Sequence, residues 1–102
     1  MKMTITQLKY IITLEKTRNF TKAAYICNIS QPTLSMQIQK LEEELKVKIF
    51  DRTKKPIELS EMGNKIIVQA KKIVNEFKKM DDVLNNKKEV LKGQYIFKNF
   101  KS

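Results

Sequence analysis

Residues 30–40 read Ser-Gln-Pro-Thr-Leu-Ser-Met-Gln-Ile-Gln-Lys, a run of side chains suited to recognition rather than reaction. Leu34, Ile38, Leu41 and Leu45 recur at spacings of 4, 3 and 4, the apolar stripe of a helix. Setting the stripe aside leaves Gln31, Thr33, Ser35, Met36, Gln37 and Gln39, an almost uncharged face rich in donors and acceptors. Gln can make paired hydrogen bonds to adenine, Ser and Thr can bond several base edges or phosphate, and a Thr or Met methyl can meet the thymine methyl. A second group follows at Arg52, Lys54 and Lys55, cations flanking a turn beside Pro56. Arg there suits the potential of a minor groove and Lys suits phosphate. Catalytic chemistry has little to work with. Histidine, the commonest general base, is absent, and one cysteine without any histidine makes no zinc site. No Gly-rich phosphate loop occurs. Neither an enzyme nor a cofactor is expected.

Helices must carry these groups. Thr6 to about Thr17 places Tyr10, Leu8, Ile11, Ile12 and Leu14 on one side, with Thr4 or Thr6 as the cap. Asn19 can cap a second helix to Cys27, whose Phe20, Ala23, Ala24 and Cys27 recur at helical spacing. The paired alanines suit the close approach of another helix. Asn28 tolerates the left-handed conformation of a tight helix-ending turn. Ser30 then starts a third helix over about Gln31–Leu45, with Pro32 in the first turn, where a missing N–H costs little. Val47–Thr53 and Ile57–Leu59 read as two short strands around a basic, Pro-containing turn. Ser60 caps a last helix in which Met62, Ile66, Ala70, Ile73, Phe77, Met80 and Leu84 follow at spacings of 4, 4, 3, 4, 3 and 4. That stripe is close to a heptad pattern, and Leu91 continues it. About 27 residues of helix span roughly 40 Å, more than a small domain can cover. Ile66, Ala70, Ile73, Phe77, Met80 and Leu84 are therefore expected to form a dimer interface with a second copy. Tyr95, Ile96, Phe97 and Phe100 in the tail find nothing to pack against.

The order of helix, helix, tight turn, helix, hairpin and long helix defines a mainly α winged helix-turn-helix fold with a dimerisation helix. Residues 3–60 form the domain, with the helix-turn-helix at about 20–39. Residues 61–92 form the linker helix, and 93–102 a tail. The second helix of such a pair enters the major groove with its N-terminal residues leading. Glu42-Glu43-Glu44 lies at its far end, away from phosphates. Composition agrees with a polyanion partner. Lys and Arg total 21 against 11 Asp and Glu, a net +10 over 102 residues. Residues 1–58 hold 11 basic and 6 acidic side chains, and residues 59–102 hold 10 and 5, so each part carries +5. The charge is mixed into the amphipathic pattern instead of forming a basic tail.

Phe20-Thr21-Lys22-Ala23-Ala24, Ser30-Gln31-Pro32-Thr33-Leu34-Ser35, Lys40-Leu41-Glu42, Phe50-x-Arg52-Thr53 and Ser60-Glu61-x-Gly63 together resemble the N-terminal domain of LysR-type transcriptional regulators. The resemblance covers about residues 3–93, and the wording around Ser30–Gln39 is most similar to the peroxide-sensing OxyR branch. It implies a winged helix-turn-helix, a dimerising linker helix, and a tetramer on interrupted inverted repeats when an effector domain is present. Gln31, Pro32, Thr33, Ser35 and Met36 fall on the groove-reading positions, and Arg52 and Thr53 on wing positions. Thr21, Ser30, Gln37, Lys40, Lys54, Lys55 and Pro56 complete the expected DNA-binding set. Two departures stand out. Lys46 replaces the usual Gly after the reading helix, where a left-handed non-Gly residue costs about 1 kcal/mol. Met36 stands where many members carry Arg. The family continues into a two-lobed effector domain, so the tail is expected to be the remnant of its start, and no effector site is expected in this chain.

Plainer readings stand beside these. Cys27 on an apolar helix face reads as a small buried residue, not a redox switch. Lys54 and Lys55 could be only a solvated turn. The basic helix could lie on an anionic membrane, a reading that leaves the helix pair and wing without a role. The alternative function is a truncated interaction subunit that forms mixed dimers with full-length regulators and blocks them. With no apolar N-terminal run and one cysteine, the chain is expected in the cytoplasm.

Overall fold

A computed structural model describes residues 1–94 of the chain, and its side chains up to residue 86. Tyr95, Ile96, Phe97 and Phe100 of the tail lie outside the described residues, as does the side chain of Leu91. The element order is α1 (Ile5–Thr17), α2 (Phe20–Cys27), α3 (Gln31–Leu45), β1 (Phe50–Asp51), β2 (Glu58–Leu59) and α4 (Glu61–Gln94). Each helix begins where a short polar side chain can satisfy free N–H groups. Thr4 and Gln7 form a reciprocal capping box on α1: the Thr4 hydroxyl accepts from Gln7 N at 3.1 Å, and the Gln7 amide accepts from Thr4 N at 3.0 Å. Thr4, not Thr6, is therefore the cap. Asn19 accepts from Lys22 N at 2.9 Å to start α2, and Ser30 from Thr33 N at 3.2 Å to start α3.

Three helices end on a left-handed residue that is not glycine: Arg18 (φ 56°), Asn28 (φ 59°) and Lys46 (φ 59°). Asn28 closes the turn between α2 and α3, as its residue type predicts. Arg18 carried no such signal. Its conformation is held by its own guanidinium, which donates to the carbonyl of Glu15 at 2.6 Å and to that of Ile57 at 3.1 Å. The second bond ties the end of α1 to the root of the wing, 39 residues away.

Leu8, Ile11 and Leu14 of α1, Ala23 and Ala24 of α2, and Leu34, Ile38 and Leu41 of α3 form one buried cluster with Ile49, Phe50 and Ile57 of the wing. The alanines sit where α2 crosses its neighbours, at 0% and 3% exposure, so larger side chains there would force the helices apart. The wing pairs Phe50 with Leu59 and Asp51 with Glu58 in antiparallel register, a shorter ladder than the two strand-like runs suggest.

Ser60 locks the wing to α4. Its hydroxyl accepts from Gly63 N at 2.8 Å and donates to the carbonyl of Lys48 at 2.5 Å. Gly63 permits the contact, since a Cβ there would lie 2.1 Å from the carbonyl oxygen of Ile49. From this anchor α4 runs 34 residues, about 51 Å at 1.5 Å per residue. It passes through the boundary expected at residue 93.

Candidate nucleic-acid interface

The packing of α3 decides which side chains it offers. With Leu34, Ile38 and Leu41 turned into the core, Gln31, Pro32, Met36, Gln39 and Lys40 are exposed. Several of the other expected readers are held by internal bonds. The Ser30 hydroxyl caps α3 and donates to the Thr33 hydroxyl at 2.8 Å. Thr33, Ser35 and Gln37 are half-buried, and the Gln37 oxygen accepts from the Gln7 amide at 3.5 Å.

The run of three glutamates is not one solvated acidic end. Glu42 is buried at 3% exposure and accepts from the backbone N–H of Ile49 at 2.8 Å and of Phe50 at 3.2 Å. These bonds dock the start of β1 against α3. Glu44 accepts from the N–H of Lys2 and Met3, tethering the N-terminal segment, and only Glu43 is exposed. Arg52 closes the same network from the wing. Its guanidinium donates to the Ser35 hydroxyl at 2.7 Å, pairs with Glu42 at 3.5 Å, and lies 4.8 Å from the centre of the Phe20 ring. About a third of the Arg52 side chain stays exposed. The residue braces the wing against α2 and α3, and it uses the Ser35 hydroxyl in doing so.

An open cleft of about 670 Å³ lies between the start of α2, the first turn of α3 and the wing turn. Thr21, Gln31, Ser35, Arg52, Lys54, Lys55 and Pro56 from the expected set line it. The Thr21 hydroxyl reaches the Gln31 oxygen at 3.4 Å across its floor. Arg18, Asn19, Phe20 and Lys22 also line it, and none of these four is in the expected DNA-binding set. Lys22 could have been found as an exposed cation in the first turn of α2; Arg18 could not, because only the fold brings it to the wing. Among the described residues, five cations (Arg18, Lys22, Arg52, Lys54 and Lys55) and no carboxylate border the cleft. Thr53 is absent from it. That side chain faces the other side of the turn, where its N–H and hydroxyl donate to the Asp51 carboxylate at 3.0 and 2.5 Å. The two bonds hold the Asp51 carboxyl below its usual value.

The α4 stripe divides in two. Ala70, at 1% exposure, belongs to the chain's own core with Ile67, and has no surface left for a partner. Ile66 and Ile73 are partly buried against that core beside Val74. Phe77, Met80 and Leu84 remain 51%, 63% and 49% exposed, with Lys9 Nζ 5.6 Å from the Phe77 ring centre. Ile67, missed from the sequence, belongs to an inner stripe of Gly63, Ile67, Ala70 and Val74 at spacings of 4, 3 and 4. Among the described residues no helix is long and apolar enough to cross a membrane.

A winged helix-turn-helix domain bearing a long C-terminal helix is the class that this fold and cleft define. The sequence profile of the bacterial regulatory helix-turn-helix proteins of the lysR family matches residues 5–64, and the chain belongs to that family. It is 36% identical over 91 residues to the DNA-binding transcriptional dual regulator OxyR of Escherichia coli K12, covering 89% of this chain and 30% of that protein. Full-length OxyR of Pseudomonas aeruginosa matches in structure with a TM-score of 0.79 and 40% identity, over 82% of this chain and 28% of that one. The BenM DNA-binding domain, in its complex with catB site 1 DNA, matches with a TM-score of 0.81 and 31% identity, over 85% of this chain and 94% of that one. The chain thus spans about 30% of the length of the curated relatives it matches.

Proposed function

We propose that this chain binds double-stranded DNA sequence-specifically, as a homodimer, to regulate transcription. The observation that carries the reading is the cleft: among the described residues, five cations and no carboxylate line it, beside the exposed first turn of α3. The known complex of the similar BenM domain with DNA, and the DNA-binding regulator to which the sequence is 36% identical, support it.

In this reading α3 enters the major groove by its N-terminus, with Gln31 presenting an amide to base edges. Lys54 and Lys55, exposed at the wing turn, neutralise phosphates of the adjacent backbone and set the salt dependence. Arg52 and Ser35 act indirectly, holding wing and helix at a fixed separation. Phe77, Met80 and Leu84 pair with the same residues of a second copy. The two heads then face inverted half-sites about one helical turn, roughly 34 Å, or a multiple of it apart.

The test is selection from a pool of randomised duplexes at two salt concentrations, with wild type, Gln31→Ala and Lys54→Ala. Wild type should enrich an interrupted inverted repeat. Gln31→Ala should relax one position per half-site, at a cost of about 1–3 kcal/mol. Lys54→Ala should weaken all sequences alike and lower the salt slope by about 1. Failure of wild type to enrich any motif contradicts the reading.

A further inference from the structure

Resting on the DNA-binding reading, we infer that Met36 is a specificity-determining residue that reads the C5 methyl group of thymine. Met36 lies on the side of α3 opposite Leu34, Ile38 and Leu41, and is 47% exposed despite being apolar. Pro32, four residues earlier and also exposed, stands beside it on the same face. The two make an apolar ridge along the first two turns of the helix.

The polar groups around that ridge are largely committed elsewhere. The Ser30 and Thr33 hydroxyls bond each other, the Ser35 hydroxyl accepts from Arg52, and the Gln37 oxygen accepts from Gln7. Guanine is most often read by Arg or Lys reaching its O6 and N7. Arg52 is held by the Ser35 hydroxyl and Glu42, and Lys40, the exposed cation of α3, lies a full turn beyond Met36, away from the leading end. The exposed side chains of the first two turns are thus Gln31, Pro32 and Met36, and Gln31 is the one polar group among them. An amide pairs with adenine N6 and N7. A thioether placed against the polar edge of a G·C pair would desolvate donors and acceptors without replacing their bonds. The thymine methyl is the one apolar group the major groove displays. The flexible Met side chain can follow it. The head therefore selects A·T pairs beneath the first two turns of α3.

The experiment uses the enriched duplex from the randomised pool. Each thymine is replaced in turn by deoxyuridine, which removes only the methyl group. Wild type should lose about fourfold in affinity at one thymine per half-site, the value of one methyl-sized apolar contact. Met36→Ala should bind the thymine and deoxyuridine duplexes equally, while Met36→Leu should keep the discrimination; circular dichroism checks that both variants fold. Equal binding of every deoxyuridine duplex by wild type, or undiminished discrimination in Met36→Ala, overturns the inference while leaving sequence-specific binding intact. A wild type that enriches no motif fails one step earlier and removes the reading on which the inference rests.

Discussion

From its place beside β1, the guanidinium of Arg52 touches two elements at once, through Phe20 of α2 and through Ser35 and Glu42 of α3. Its residue type and its position next to a basic turn suggest a hand reaching for DNA. Only the fold reveals that a buried carboxylate waits behind it. Glu42 is the reason, and in the sequence it is indistinguishable from Glu43 and Glu44. What separates the three is which backbone N–H groups arrive seven and eight residues later, at Ile49 and Phe50. Asp51 offers a check on the local chemistry of the wing. The Thr53 hydroxyl and N–H, with a smaller contribution from Lys54, hold its carboxyl below the ordinary 3.8. A carboxyl lowered in the folded state adds stability above the unfolded value, and that stability is lost as pH falls through the folded value. Carbon-detected NMR titration should place the Asp51 midpoint below 3.8 in wild type, with Thr53→Val moving it upward. An unmoved midpoint would separate Asp51 from Thr53 in solution.

Helix starts and the turn between α2 and α3 were legible because their causes are local. Asn19, Ser30 and Asn28 each act within three residues of the backbone group they satisfy. The heptad-like stripe of α4 was legible as a period, but a period does not say what covers it. Ala70 sits in phase with both stripes, and its small size lets α4 approach α1. Ile66, Ala70 and Ile73 therefore pack onto their own domain, while Met62 at the start of the stripe and Phe77, Met80 and Leu84 beyond it stay exposed. The left-handed cap at Lys46 is what the family resemblance implies, since Gly is usual at that place. Its strain is now visible as φ 59°, with its N–H donating to the carbonyl of Glu43 at 3.2 Å. Lys46→Gly should remove the conflict between Cβ and carbonyl and stabilise the domain by about 1 kcal/mol, less the entropy that glycine adds to the unfolded chain. That corresponds to a rise in Tm of up to about 4–8 °C. A lower Tm would show that the Lys side chain contributes more than its backbone costs.

At the scale of the whole chain the charge is evenly shared, +5 on each side of residue 58, yet its roles differ. On the domain, cations gather around a cleft lined, among the described residues, by no carboxylate. On α4 they alternate with acids, as in the pair of Lys79 with Glu76 at 3.0 Å, and flank an apolar stripe. Such a division suits a molecule that binds DNA at one end and its own copy along the other. Exposed Phe77, Met80 and Leu84 would be a liability on a monomer, and in the proposed dimer they form its seam. The most direct measurement of this account is the mass of the complex formed on the enriched duplex, by sedimentation at micromolar concentration and near-physiological salt. Two chains per inverted repeat, and dissociation of that complex by Met80→Glu, are the expected result. One chain per duplex, or a number of chains that grows with duplex length regardless of sequence, would contradict it.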